Sequence, residues 1–329
     1  MRRGICCVLA VVLVVALLAP LRGQAGEKVG PPLVVGVLLF SKNNQPALEA
    51  LKAGLRERGY EEGRGIEYVF DGVVERAEDL EPAMARILAR NPDLVYTAPT
   101  FAAHVAKKAC LDRNIPVLFG PANNAVESGL VKDRKRPGEN ITGVVLSDNE
   151  TKRLQWTVEM APRIKNLLVP YNPEDKSARV SMKSAMAAAA KLGLSVIPKE
   201  VPDHAAIDAL LGQWPSGIDS IFLPRDALVM SRVKDFADLA IREKLIISTG
   251  TRISYVEKGI LLSYGFDDLE MGRQVARLAH LIFKGKKAGD LPVETAEDYL
   301  GVNLKTAEAI GMKVNQHILR SAHRLIRVE

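Results

Sequence analysis

The chain has 329 residues, 47% hydrophobic and 26% charged, which excludes disorder, collagen and a coiled coil as its main organisation. Its net charge of +6 falls to a surplus of three once Arg2, Arg3 and Arg22 are set aside, too little over this length for a nucleic-acid footprint. The length points to two domains, since single cores stop growing at roughly 250–300 residues.

The first 25 residues have the layout of an export signal. Arg2 and Arg3 precede an apolar run, Ile5 to Ala19, broken only by cysteines; Pro20 ends it, and Gly23-Gln24-Ala25 supplies small residues for cleavage. The run is short for a membrane span, which needs about 20 apolar residues. The rival reading is an uncleaved anchor helix. With the signal removed, Cys110 is the one cysteine left, so an intrachain disulfide and a cysteine metal cluster are both excluded. Cys110 lies on a predicted helix and reads as a buried structural thiol.

Leu33 to Phe40 is a continuous apolar run of strand length, and Gln45 to Arg58 follows with helical spacing, Leu48, Leu51 and Leu55 on one face. Ile66–Phe70, Leu94–Thr97 and Pro116–Phe119 read as strands; Glu78–Arg90 and Phe101–Arg113 read as helices between them. Strands that are apolar throughout, separated by amphipathic helices, imply a parallel sheet covered on both faces. Gly120 to Asn140, rich in Gly, Pro and Asn, reads as loop and as a candidate crossover between domains. Its cluster Lys132-Asp-Arg-Lys-Arg136 reads as a solvated face.

The alternation then restarts. Strands are predicted at 141–146, 166–170, 194–198, 220–223, 245–248, 260–264 and 299–303. Helices are predicted at 150–161, 178–192, 205–211, 228–243, 269–284 and 305–310, with a Pro-Val-Glu element at 292–294. The result is α/β with two halves of similar size and a swap point near residues 120–150. The phosphate-binding, nucleophile-elbow and zinc-protease motifs are missing. His104, His204, His280, His317 and His323 are scattered and read as surface or structural.

Polar or small residues follow nearly every apolar strand. In doubly wound folds, ligands bind at the carboxyl ends of strands. The turns at Ser41, Thr97–Thr100, Gly120–Asn124, Asn172, Asp226, Thr249 and Tyr264 are therefore candidates to line a cleft between the halves. Thr97 and Thr100 flank the start of a helix, where free backbone N–H groups and the helix dipole suit a carboxylate. Asp226 follows a strand and has two readings: partner of an ammonium group, or cap of the next helix. Phe40, Tyr171 and Tyr264 are candidate apolar walls. Together they outline a site for a zwitterion.

Ile115-Pro-Val-Leu-Phe119, Glu127-Ser-Gly-Leu-Val131 and Arg136-Pro-Gly-Glu-Asn-Ile-Thr-Gly143 resemble the hallmark stretch of the TrpX-like substrate-binding proteins of ABC importers. Leu168–Pro173, Leu262–Gly265, Gly285–Glu294 and Val302–Ala307 recur in the same order, so the resemblance covers roughly residues 33 to 326. It implies a type I periplasmic-binding-protein fold: two Rossmann-like, doubly wound lobes joined by three crossovers. The lobes are expected at 31–147 with about 258–295, and at 148–257 with about 296–329. The resemblance makes Thr97–Thr100, Asn124, Asn172 and Asp226 ligand-facing. Two positions depart from it. Asn124-Ala-Val126 stands where Asp-Pro-Val is usual, and Ala227 stands where Asn often follows the aspartate. The implied role is capture of a small molecule, aromatic or other amino acid, by a monomeric extracytoplasmic or periplasmic protein, followed by delivery to ABC permease subunits in the membrane. No catalysis, cofactor, metal or nucleic acid is implied. The alternative is a ligand-sensing subunit of a membrane sensor kinase.

Overall fold

The computed structural model describes residues 31–123 and 125–327. The expected export signal and the candidate Asn124 lie outside the described residues.

Two sheets organise the chain. The first contains β1 (Leu33–Leu39), β2 (Ile66–Val69), β3 (Leu94–Ala98), β4 (Val117–Ala122), β5 (Ile141–Val145) and a late strand, β11 (Glu294–Thr295), in the order β11-β5-β4-β3-β1-β2. All of its pairings are parallel. The last five residues of β1 and the whole of β3, β4 and β5 are buried, as expected for strands covered on both faces. Helices α1 (Gln45–Arg56), α2 (Leu80–Leu88) and α3 (Thr100–Leu111) return the chain between strands. Leu48, Leu51 and Leu55 of α1 are buried on one face, as their spacing requires. Cys110 is fully buried on α3, and burial pushes its thiol up to about 12.

The second sheet takes β6 (Asn166–Tyr171), β7 (Ser195–Glu200), β8 (Ser220–Leu223), β9 (Ile246–Thr249), β10 (Leu262–Phe266), β12 (Asp298–Asn303) and β13 (Ala322–Ile326). Their order is β13-β12-β10-β9-β8-β6-β7, parallel except for the antiparallel pair β10–β12. Its helices are α4 (Glu150–Met160), α5 (Lys176–Lys191), α6 (His204–Gly212), α7 (Ala227–Ser231), α8 (Val233–Glu243), α10 (Leu304–Ala309) and α11 (Gln316–Ser321). Asp175, Asp203 and Asp226 accept the free N–H groups that open α5, α6 and α7.

One long helix of the first lobe comes late in sequence. α9 (Asp268–Phe283) packs against α1 and shares a core with it: Leu48, Leu51 and Leu55 meet Met271, Val275 and Ala279. The two backbones approach closely at Gly54 and Gly272. A Cβ on Gly54 would sit 2.8 Å from the Ala276 Cβ, and one on Gly272 would sit 2.4 Å from the Ala50 Cβ.

The chain therefore passes between sheets three times: after β5, between β10 and α9, and between β11 and β12. Three expectations are corrected. The Gly120–Asn140 segment is not a crossover, because β4 and β5 on either side of it are neighbours in one sheet. The second crossing lies at Asp267, not near residue 258, because β10 pairs with β9 and β12 in the second sheet. The expected helix 228–243 is two helices, since the Arg232 backbone (φ −110°, ψ 21°) leaves the helical range between α7 and α8. α11 and β13 were not foreseen; β13 is a polar edge strand whose His323 and Arg324 hide the alternation.

Candidate functional site

The strands of the first sheet end where the chain crosses over, and β6, β8 and β9 of the second sheet run toward the same place. A contact across the lobes marks this face: Asn123, just after β4, donates through Nδ2 to the Ser177 Oγ at the start of α5 at 3.1 Å.

On the first lobe, Ser41 ends β1 with φ 69°, and its N–H donates to the Val74 carbonyl at 3.0 Å. Its Oγ caps the following turn of 3-10 helix through the Asn43 N–H. Thr97 is fully buried in β3, on the sheet face shared with Leu38 and Phe119, and its Oγ1 has no hydrogen-bond partner among the described residues. Thr100 ties the ends of β3 and β4 together: its Oγ1 accepts the Asn123 N–H at 2.9 Å and donates to the Asn123 carbonyl at 3.2 Å. α3 starts after Pro99 with no side-chain cap, so its first N–H groups stay available. Phe40 and Phe101 form an edge-to-face pair at 4.4 Å here, and Phe101 is 41% exposed.

On the second lobe the candidates are engaged with one another. Asp226 is buried; its Oδ1 accepts the Val229 N–H at 3.0 Å and its Oδ2 accepts the Asn172 N–H at 2.5 Å. Burial raises its carboxyl above the ordinary range, against these hydrogen bonds. Of the two readings of Asp226, the cap is the one its contacts fill. The Asn172 Oδ1 accepts the Glu174 N–H at 2.9 Å, an Asx turn. Thr249 is buried and donates to the Leu223 carbonyl at 3.3 Å. Tyr264 is half-buried, 6.3 Å from Trp156 between ring centres. Tyr171 points away along β7, donating to the Glu200 carboxylate at 2.9 Å. The Thr251 Oγ1 is buried and, like the Asn123 Oδ1, lacks a partner among the described residues.

Sequence reasoning missed a charged cluster at the first crossing. Arg225 forks onto Glu150, Nε to Oε1 at 3.0 Å and Nη2 to Oε2 at 2.9 Å. Its Nη1 donates to the Ser147 carbonyl at 2.7 Å. Ser147 also hydrogen-bonds Asp298, so the first and third crossings touch. Glu150 is 1% exposed and accepts the Ser181 hydroxyl at 2.7 Å. Fully buried Arg153 donates to the carbonyls of Gly250 and Leu223 and lies over the Phe222 ring at 4.1 Å. Burial alone would raise the Glu150 carboxyl, but the Arg153 and Arg225 guanidiniums outweigh it and hold it at about 2. The neighbouring Glu150 carboxylate pushes the Asp148 carboxyl up to about 6. Burial lowers Arg153 to about 10, so it remains charged at neutral pH.

Residues 36–326 match the model of a family described as ABC transporter substrate binding protein. The chain belongs to this family. The substrate-binding protein is 26% identical over 273 residues to a tyrosine-binding protein of Clostridioides difficile, covering 82% of this chain and 78% of the relative. Among solved structures it resembles a conserved domain protein from Vibrio cholerae: 26% identity, TM-score 0.78, 90% of this chain and 100% of the other. It also resembles an ABC domain from Streptococcus pneumonia solved in complex with L-Trp: 24% identity, TM-score 0.79, again 90% and 100%. The expected fold, two α/β lobes of type I periplasmic-binding-protein form, is the fold found.

One signal for the charged cluster was present in the sequence. Glu150 and Arg153 stand three residues apart on the α4 face that also carries Leu154 and Thr157, all four buried. Charges on an apolar face are buried pairs or nothing.

Proposed function

We propose that this substrate-binding protein captures an aromatic amino acid between its lobes outside the cytoplasm and delivers it to the permease of an ABC importer. One observation carries the reading. Three buried polar atoms without partners among the described residues, Thr97 Oγ1, Asn123 Oδ1 and Thr251 Oγ1, sit at or just past strand ends of both lobes, on the face where the Phe40–Phe101 pair stands. Buried polar groups are nearly always satisfied, so unpaired ones gathered on one face suit a polar ligand. The uncapped start of α3, with Thr97 beneath it, suits the carboxylate, and the two phenylalanines suit the ring. A tyrosine-binding relative and a neighbour holding L-Trp point the same way. Ligand touching both lobes favours their closed arrangement by its differential affinity, and the permease reads that arrangement.

Calorimetric titration with Trp, Tyr and Phe tests this, with Leu and a sugar as controls. The expected result is binding of at least one aromatic amino acid. Phe101→Ala then weakens it about tenfold, since an aromatic pair contributes about 0.5–1.5 kcal/mol beyond its buried area. The melting temperature stays unchanged because the ring is exposed. Binding of leucine or sugar alone discards the aromatic ligand.

A further inference from the structure

The first lobe has a second charged surface, at the opposite end of its sheet from the ligand face. The loop before β5 and the loop before β11 are knitted together there. Gly138 donates to the Gly289 carbonyl at 3.0 Å, Val293 to the Arg134 carbonyl at 2.7 Å, and Thr142 Oγ1 to the Leu291 carbonyl at 2.8 Å. A Cβ on Gly289 would fall 2.3 Å from the Glu139 carbonyl oxygen, so the two backbones touch. This joins two runs that are far apart in sequence, Lys132–Arg136 and Lys284–Lys287. Lys132, Lys135, Arg136, Lys284, Lys286 and Lys287 are all exposed, and none has an ion-pair partner among the described residues.

The acids nearby do not neutralise them. Glu139 is committed to Lys107 at 2.7 Å, and the Asp133 carboxylate accepts the backbone N–H groups of Lys135 and Arg136. Counting Arg134, residues 132–139 and 284–290 hold seven cations against Asp133, Glu139 and Asp290, a surplus of four. The chain after residue 25 has a surplus of only three, so the rest of it is slightly acidic. The dipole of α9 accounts for Lys284 at its end but not for the cations beyond.

β1 begins at this same end, with the Leu33 N–H bonded to the Gly65 carbonyl at 3.1 Å. The apolar run Ile5–Ala19 precedes it in the sequence, joined by a short segment. We propose that this basic end of the first lobe is a docking surface for an anionic lipid bilayer, on which the protein rests between deliveries with its ligand face open to solute. Retained in the bilayer, the apolar run brings this end to the lipid; once the run is removed, the charge alone supplies the attraction. A basic residue at an anionic surface strengthens partition about fivefold.

The test is co-sedimentation of the full chain with vesicles of phosphatidylcholine alone and of equal parts phosphatidylcholine and phosphatidylglycerol. The expected result is a preference for the anionic vesicles that fades as salt shortens the Debye length. The triple variant K284Q/K286Q/K287Q lowers that preference on the order of a hundredfold. K132Q/K135Q/R136Q does the same. K176Q/K183Q/K191Q, which removes equal charge from α5 on the other lobe, leaves it unchanged. An equal loss in the α5 variant makes the effect one of net charge and overturns the proposal, as does a preference that survives both loop variants.

Discussion

Replacing Arg225 by Met removes the fork that holds Glu150 and the bond that holds the Ser147 carbonyl. The Glu150 carboxyl is held at about 2 against an ordinary 4.5, which corresponds to about 3 kcal/mol of stability at neutral pH. Breaking a buried ion pair costs about 3–5 kcal/mol when one partner is removed. Arg153 and Ser181 still face Glu150 in the variant, so the expected loss is about 2 kcal/mol. For a chain of this size that lowers the melting temperature by about 3 °C. The pH dependence gives the loss its signature. A carboxyl depressed in the folded state contributes fully above its ordinary value of 4.5, and the contribution is lost as pH falls toward 2. The gap between wild type and Arg225→Met therefore closes over that window. Adding Glu150→Gln to Arg225→Met brings no recovery, because fully buried Arg153 then loses the carboxylate that faces it. Urea denaturation across pH reads all three proteins. A loss under about 0.5 kcal/mol at pH 7, or a gap that does not change down to pH 2, refutes the reasoning.

Asp226→Ala is expected to cost about 2 kcal/mol in denaturant unfolding, because it strands the buried N–H groups of Asn172 and Val229. Burial raises this carboxyl above its ordinary 3.8, so its contribution is greatest below that value and declines as pH rises through the raised one; a cost that grows toward high pH contradicts the assignment. Gly250→Ala is expected to lower stability by about 2–3 kcal/mol, since the new Cβ would fall 1.9 Å from the Arg153 Cδ, pinned between the Phe222 ring and two carbonyls. An unchanged melting curve shows that Arg153 has room to move.

The two sheets were legible because their strands are uninterrupted apolar runs. The end of the sheets that carries the candidate site was legible because polar turns follow those runs. The partner of each polar residue was not. Asp226 and Asn172 lie 54 positions apart, and only the pairing of β6 with β8 makes one accept the other's N–H. For the same reason the largely apolar run at β10 reads as a strand without revealing its sheet. That choice rests on pairing with β9 and with β12, and β12 arrives more than thirty residues later. The Arg225–Glu150–Arg153 cluster draws from α4 and the end of β8, elements that meet only in the folded chain. The edge strand β13 was hidden because an exposed edge tolerates charge and lacks the apolar signature of a central strand.

The seam between α1 and α9 bears on how the chain is made. α1 is complete at residue 56, yet the helix that covers its apolar face begins only at residue 268. Until then Leu48, Leu51 and Leu55 have no cover from that side. A chain emerging from its amino end thus carries an open greasy stripe through most of its synthesis or transit. Five of the six strands of the first lobe are already present by then, so the half-made lobe can form its sheet but not close it. Holding such a chain unfolded until its last quarter has emerged is a task for a chaperone. Release before residue 283 leaves a sticky intermediate; release after it lets the small-residue seam snap shut.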